Sequence, residues 1–280
     1  MGHQLLLCAS IPHSEYVQTV STLQALTGLL KPQQISTYTI ITKPHNVFKP
    51  KVEAGKVNQI EQYYMKCTTT WDDDTAQALD LSQPIVNGKP EVKVDRLFMG
   101  EKVKQWTFHI ADIPTAGKNA VLAQNFYEST MVHHHSKGSR AAPKVKAKQP
   151  AREPEREAPE PKDSFLQFLE DLGYDVINQF WLKGIRFFYG DIVIEIFKVL
   201  IRDDNDQAKS EDDPRIPLKL LDDSNTFQIK TYSTFPKGTN VDLISKGTKE
   251  LTNLKATLLN LFELEVPDRM FMDFRVTRVT

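Results

Sequence analysis

The sequence predicts a β-dominated α+β fold whose strands form an antiparallel sheet or barrel, and three observations carry that reading. Most apolar residues fall in short β-branched and aromatic runs bounded by Gly, Pro, Asn or Asp. Only two segments carry helical periodicity. No internal repeat recurs and strands do not alternate with crossover helices, which argues against a doubly wound parallel sheet. A chain of 280 residues with 40% hydrophobic content has ample material for a core.

In chain order, "QLLLCASI" opens as a strand. In "SEYVQTVSTLQALTGLL", Tyr16, Val20, Leu23, Leu26 and Leu30 fall on one stripe, the spacing of an amphipathic helix. Strands follow in "ISTYTIITK", "QIEQYYMKCTTTW", "EVKVDRLFM", "KQWTFHIADI" and "NAVLAQNFYESTMV", and in "DIPTAG" Pro114 and Gly117 frame a turn. At "HHHSKGSRAAPKVKAKQPAREPEREAPEPK", residues 133–162, aromatic residues vanish and Pro, Ala, Lys, Arg and Glu take over. Such a composition cannot bury enough apolar surface to offset ordering, so a disordered insertion is expected within one β domain made of 1–132 and 163–280.

Beyond it, "YDVINQFWLKGIRFFYGDIVIEIFKVL" carries a dense strand signal, and "RDDNDQAKSEDDPRIP" from Arg202 reads as a self-repelling loop. "TFQIKTYSTF" is a further strand. In "NVDLISKGTKELTNLKATLLNLF" the helical stripe is Ile244, Leu251, Leu254, Leu258 and Leu261, with Gly238, Thr239 and Asn240 supplying a turn and an N-cap. Pro267 in "VPDR" turns the chain toward an expected last strand, "FMDFRVTRVT". Asp112, Asp268 and Arg269 are candidates for capping and pairing contacts.

Gly190-Asp191 is a two-residue hairpin signal, because glycine tolerates the positive φ that twist-matched turns require. Residues whose numbers add to 381 then face each other, so Phe188 meets Val193, Arg186 meets Glu195 and Ile185 meets Ile196. Glu195, the one acid in a greasy stretch, gains a cross-strand cation, a pairing that contributes ~0.2–1 kcal/mol. The same register sets Lys183 against Lys198. That like-charge pair is unfavourable unless an anion sits nearby or both side chains snorkel to water.

Formal net charge is −1, so nothing at whole-chain level calls for nucleic acid or a membrane. No apolar run is long enough to cross a bilayer, and "MGHQLLLCAS" lacks a basic n-region, so a soluble intracellular protein is expected. Cys8 and Cys67 read as small buried side chains rather than a bridge or a metal site. Lys137 to Arg152 would attract phosphate backbones at low salt, but no aromatic residue is interleaved to stack bases, and "KVKAK" is at most a weak import signal.

Several stretches together resemble the Mediator subunit 18 family, in its fungal type: "QLLLCASIPHSEY" with "VSTLQALTG", "WTFHIADIPTAGKNAVLAQ", "FLEDLGYDVINQFWLKGIRFFYGDIVIEIFKV" and "YSTFPKGTNVDLISKGTKELTNLKATLLNLFELEVPDRMFMDFRV". The region from about Lys43 to Gly100 and the charged breaks stay outside the match. The resemblance implies a many-stranded antiparallel β-barrel flanked by helices, in a nuclear, non-catalytic coactivator subunit serving RNA polymerase II. It also implies a heterodimer with a Mediator subunit 20-like barrel and tethering through the C-terminal helix of a subunit 8-like protein. No cofactor, metal or catalytic residue is implied, and no partner-binding residue is assigned.

Such a barrel is also similar to the tunnel of metal-dependent triphosphate phosphohydrolases, which makes that enzyme the alternative. It would need carboxylates at alternate strand positions around a divalent cation, with Lys and Arg holding phosphates. Beside Glu195 the same-face positions are Val193 and Phe197. Glu263 and Glu265 alternate but lie at the seam after the helix, and Glu91, Lys93 and Asp95 read equally well as an exposed strand. The His133-His134-His135 run offers metal-binding groups at the mouth of the insertion. No phosphate-binding loop, paired CxxC or zinc-spaced His-Glu arrangement is present.

Overall fold

A computed structural model describes residues 1–47, 61–71, 79–86, 88–95, 97, 102–117, 119–136, 163–204, 215–236 and 241–276. Its strands are β1 (Gly2–Ile11), β2 (Gln33–Pro44), β3 (Met65–Thr70), β4 (Val92–Asp95), β5 (Val103–Ala111), β6 (Leu122–His134), β7 (Tyr174–Tyr189), β8 (Ile192–Arg202), β9 (Arg215–Leu220) and β10 (Phe227–Pro236). Helices α1 (Tyr16–Thr27) and α2 (Ser164–Asp171) lie between them, and α3 (Val241–Leu258) follows β10.

Eight strands close into a barrel in the order β1-β6-β5-β3-β2-β7-β8-β10, with β10 returning to β1 and all pairings antiparallel. Strands β9 and β4 extend from the far end of β8 as a two-stranded flap. Closure leaves no edge in the barrel itself. The β7–β8 register is the one expected from Gly190-Asp191: Gly190 has φ +57, Arg186 faces Glu195 and Lys183 faces Lys198.

Alternation along each strand sorts side chains to the two sides of the wall. On β7 and β8 the residues Ile185, Phe187, Ile194 and Ile196 point outward into a core, whereas Arg186 and Glu195 point into the lumen. The hydrophobic core therefore lies outside the barrel, in two clusters. One is covered by α1 and α3, whose Leu23, Leu251, Leu254 and Leu258 pack on Leu5, Leu7, Phe187 and Ile229. Gly247 lets α3 approach closely, since a Cβ there would lie 2.5 Å from the Phe235 ring. The other is covered by α2 and the flap, with Phe165 stacked on Trp106 at a centroid distance of 4.0 Å beside Tyr38, Trp181 and Leu200.

Several expectations need correction. Gly28 (φ +69) ends α1, so Leu30 leaves the stripe and is 80% exposed. Helix α2 and strand β9 answer to no expected element. Residues 269–272 form a 3-10 turn capped by Asp268, whose Oδ1 accepts from Met270 N at 2.9 Å, and among the described residues of the expected last strand Arg275 makes a bridge, to Tyr63, while 277–280 lie outside the described residues. The insertion does not begin at His133: β6 runs through His134, and His135 is fully buried. Residues 137–162, most of the acidic loop (205–214) and the Gly238 to Asn240 cap lie outside the described residues.

Candidate functional site

The lumen is a cavity of about 510 Å³ lined by charged side chains and threonines together with Phe126, Phe180 and Leu182. Glu195 on β8 is its central acid. Its Oε1 accepts from Arg186 Nε at 2.8 Å, from Arg186 Nη2, and from the Tyr232 hydroxyl at 3.1 Å. Across the cavity, Glu128 Oε1 lies 3.6 Å from His109 Nδ1, and His109 stacks on Phe126. Burial, with Lys66 and Lys230 nearby, pushes the His109 imidazole down to about 4, so this ring is neutral at physiological pH. Burial likewise lowers Lys66 to about 8 and lowers Lys230.

The segment after α3 closes one side of this cavity. Met272 and Phe274 reach into it, Gln124 Nε2 donates to Met272 O at 2.9 Å, and Tyr64 N donates to Phe274 O at 2.8 Å. Arg275 locks the segment down by donating to Asp273 Oδ1 at 2.9 Å and to Glu61 Oε1 at 3.1 Å. Asp112 contributes through its backbone, its carbonyl accepting from Gln124 Nε2 at 2.6 Å.

Among the described residues lining the lumen, Glu128 and Glu195 are the only carboxylates. One oxygen of Glu195 already receives three donor contacts. This is the arrangement of a half-buried ion pair, not of a carboxylate cluster that holds a divalent cation. The other acids are elsewhere: Glu265 forms a backbone bridge with Cys8, Lys93 reaches Glu91 at 3.0 Å, and Asp95 lies 3.8 Å from Arg215.

Lys183 and Lys198 project outward, not into the lumen, and each meets a neutral acceptor. Lys183 Nζ donates to Ser36 Oγ at 3.0 Å; Lys198 Nζ donates to Asn225 Oδ1 at 2.9 Å, lies 3.2 Å from His13 Nδ1 and sits 4.4 Å from the Phe227 ring centroid. Asn225, in the left-handed region at φ 61, also holds Ile85 through both its backbone groups. The like-charge pair is thus accommodated by neutral acceptors, with the Asp222 carboxylate also acting on Lys198. Both cysteine thiols are raised by burial, Cys67 to about 12, and neither is activated.

His133, His135 and Asp163 bring potential ligand atoms within 4.8 Å of one another. The hydrogen bonds assign them a different task. Trp106 Nε1, which can only donate, gives its proton to His135 Nε2 at 3.0 Å, so the His135 proton sits on Nδ1 and is directed at Asp163 Oδ1, 3.0 Å away. Ligation through Nδ1 would require moving that proton to Nε2, against the Trp106 donor. Asp163 also caps α2 by accepting from Phe165 N at 2.8 Å. The trio fastens α2 to the barrel wall. Sequence reasoning missed it because the histidines border a charged segment and Asp163 lies beyond that segment's far end.

With this geometry in place, likeness to known proteins gains meaning. A family model described as Med18 protein matches residues 3–275. A Debaryomyces hansenii protein named Mediator of RNA polymerase II transcription subunit 18 is 49% identical, with 99% of each chain covered. One of the same name from Scheffersomyces stipitis is 47% identical over 99% of each chain. In the solved structure of the Schizosaccharomyces pombe Mediator head module, one chain superposes with a TM-score of 0.60 at 12% identity, covering 95% of this chain and 98% of that one, a likeness of fold.

Proposed function

This chain belongs to the Med18 protein family, and on that premise we propose that it acts as a non-catalytic subunit of the Mediator head, a coactivator that serves RNA polymerase II in the nucleus by protein–protein scaffolding. The family match over nearly the whole chain carries this reading. The lumen supports it: a neutral His109, an acid engaged by Arg186 and Tyr232, and no carboxylate pair on a common strand give metal-dependent phosphoryl transfer little to work with. The phosphohydrolase alternative is not favoured.

The proposed partners are a subunit 20-like barrel as heterodimer mate and an amphipathic C-terminal helix from a subunit 8-like protein. A helix of that kind seeks an apolar strip. Leu172, Val176 and Ile177 are half-exposed beside a groove of about 500 Å³ lined by Tyr38 and Ile40, and Val103 and Val132 are exposed on neighbouring β5 and β6. Co-expression with both partners and size-exclusion chromatography at low and high salt tests the reading. Complexes that survive high salt are expected, because apolar interfaces resist screening. A chain that stays monomeric at micromolar concentration would contradict it, as would release of phosphate from tripolyphosphate with magnesium or manganese that Glu195→Gln abolishes.

A further inference from the structure

We propose that two copies of this chain pair through the open edge of β6, which joins their barrels by one antiparallel sheet. Strand β1 covers β6 only from Leu122 to Phe126, where it pairs with Leu6 to Gly2. Beyond that point β6 continues to His134 beside β5, so a two-stranded ribbon rises past the closed ring. Hydrogen bonds at the two ends of β6 fix which way its backbone faces. Asn125 O accepts from Asp112 N at 2.9 Å and His135 N donates to Lys102 O at 2.8 Å, so the odd-numbered residues direct their groups to β5. The N–H and C=O of Glu128, Thr130, Val132 and His134 then point away from it. Among the described residues no strand meets them. An edge left in that state is a template for another strand.

The two faces of the ribbon are unequal. Outside, Met131 packs on the cluster beneath α2, and His133 Nε2 lies 2.8 Å from Ser164 Oγ. Inside, on the side that carries Gln124 and Glu128 into the lumen, Val132 is 68% and Val103 62% exposed. The occupant is a second copy because the edge complements itself in one register. Antiparallel pairing about a two-fold axis at Met131 sets Glu128 against His134 of the other copy, twice over, and Thr130 against Val132. A carboxylate opposite an imidazole gains an ion pair when the ring is protonated and a hydrogen bond from its N–H when it is neutral. The same register lays Val132 diagonally beside its own copy and removes that apolar surface from water. An axis at Thr130 would set Glu128 against Val132 instead, and one at Val132 would carry Glu128 past the end of the strand. A contact whose halves are the same residues closes after two copies, so the edge is used up and no fibre grows.

Sedimentation equilibrium of the full chain, from low to high micromolar concentration, tests the surface. A monomer–dimer equilibrium is expected. Thr130→Pro removes an outward N–H while leaving the hydrogen bonds to β5 in place, and should weaken dimerisation about tenfold or more. His134→Glu, which sets acid against acid, should weaken it too, whereas His134→Lys should not. Oxidation reads the register. Met131→Cys, on the axis, should give a disulfide-linked dimer, since a non-hydrogen-bonded pair brings Cα atoms to about 4.5 Å; Ser129→Cys and the wild type should not. A chain that stays monomeric throughout overturns the proposal, as does unchanged dimerisation in folded Thr130→Pro. If that variant does not fold, absent cross-linking through Met131→Cys, or equal cross-linking through Ser129→Cys, overturns it instead. The chain is tested alone, so failure here leaves the chromatography with its proposed partners untouched.

Discussion

The inner and outer faces of one barrel wall are built from the same strands and behave oppositely. On the β7–β8 hairpin, Ile185, Phe187, Ile194 and Ile196 enter the core beneath α1 and α3, while their neighbours Arg186 and Glu195 form an ion pair in the lumen. Each large apolar side chain buried outside contributes about 1.5–3 kcal/mol. Inside, burial works against the charged forms of the basic groups, visible in Lys66 lowered to about 8 and His109 to about 4. The difference teaches that cohesion comes from helices pressed on the outside of the wall, which frees the interior to be polar. In an ordinary small barrel the interior is the packed layer.

The sharpest way to break this division is on the outer face. Phe187→Ala, at a fully buried position, is expected to cost about 3–5 kcal/mol in urea unfolding. A loss no larger than that of a lumen substitution would abolish the distinction. Asp163→Ala, which removes the α2 cap and strands the His135 Nδ1 proton, should cost about 1–3 kcal/mol, and a chelator should leave the wild-type melting temperature unmoved. On the inner face, a double-mutant cycle of Arg186→Ala and Glu195→Ala should return a coupling of about 0.5–3 kcal/mol.

Lys66→Met sharpens the contrast by sign. With its ammonium at about 8 in the folded chain and at 10.5 when unfolded, the folded state binds fewer protons between those values. Stability must then rise with pH from about 8 to 10.5, and the penalty is full below 8. The substitution should raise stability at pH 7 and flatten that slope, read from melting temperatures across pH; a substitution that destabilises instead would show the lumen to be a packed core. The smallest effect is expected from joining Ser136 to Asp163 by deleting residues 137–162. Ser164 N already donates to Ser136 O at 2.9 Å, so the ends are adjacent, and the melting temperature should not change.

Much of the architecture was legible because it is local. The Gly190-Asp191 turn fixes its register by itself, and the stripes Tyr16–Val20–Leu23 and Leu251–Leu254–Leu258 declare their helices. The lumen was legible only in part. In "MKCTTT", "KQWTFHI" and "QIKTYST" polar residues alternate with apolar ones, and period-2 patterning cannot tell a solvent face from the inside of a barrel. Lys66, His109 and Lys230 therefore look like surface residues until closure turns them inward. Helix α2 escaped because eight residues give barely two turns of stripe, and the His135–Asp163 contact spans 28 positions.

The strand order also has a kinetic consequence. Among the strands, the second half of β1, from Leu7 to Ile11, pairs with β10, more than two hundred residues later, and its one further bridge, Cys8 to Glu265, comes later still. At about 5–20 residues per second of synthesis, the apolar Leu7 and Ile11 leave the ribosome tens of seconds before their partner strand exists. Until then a nascent chain carries an unpaired, largely apolar strand, a template for aggregation. Folding of this barrel in the cell thus rests on protection of its first ten residues until the last strand arrives.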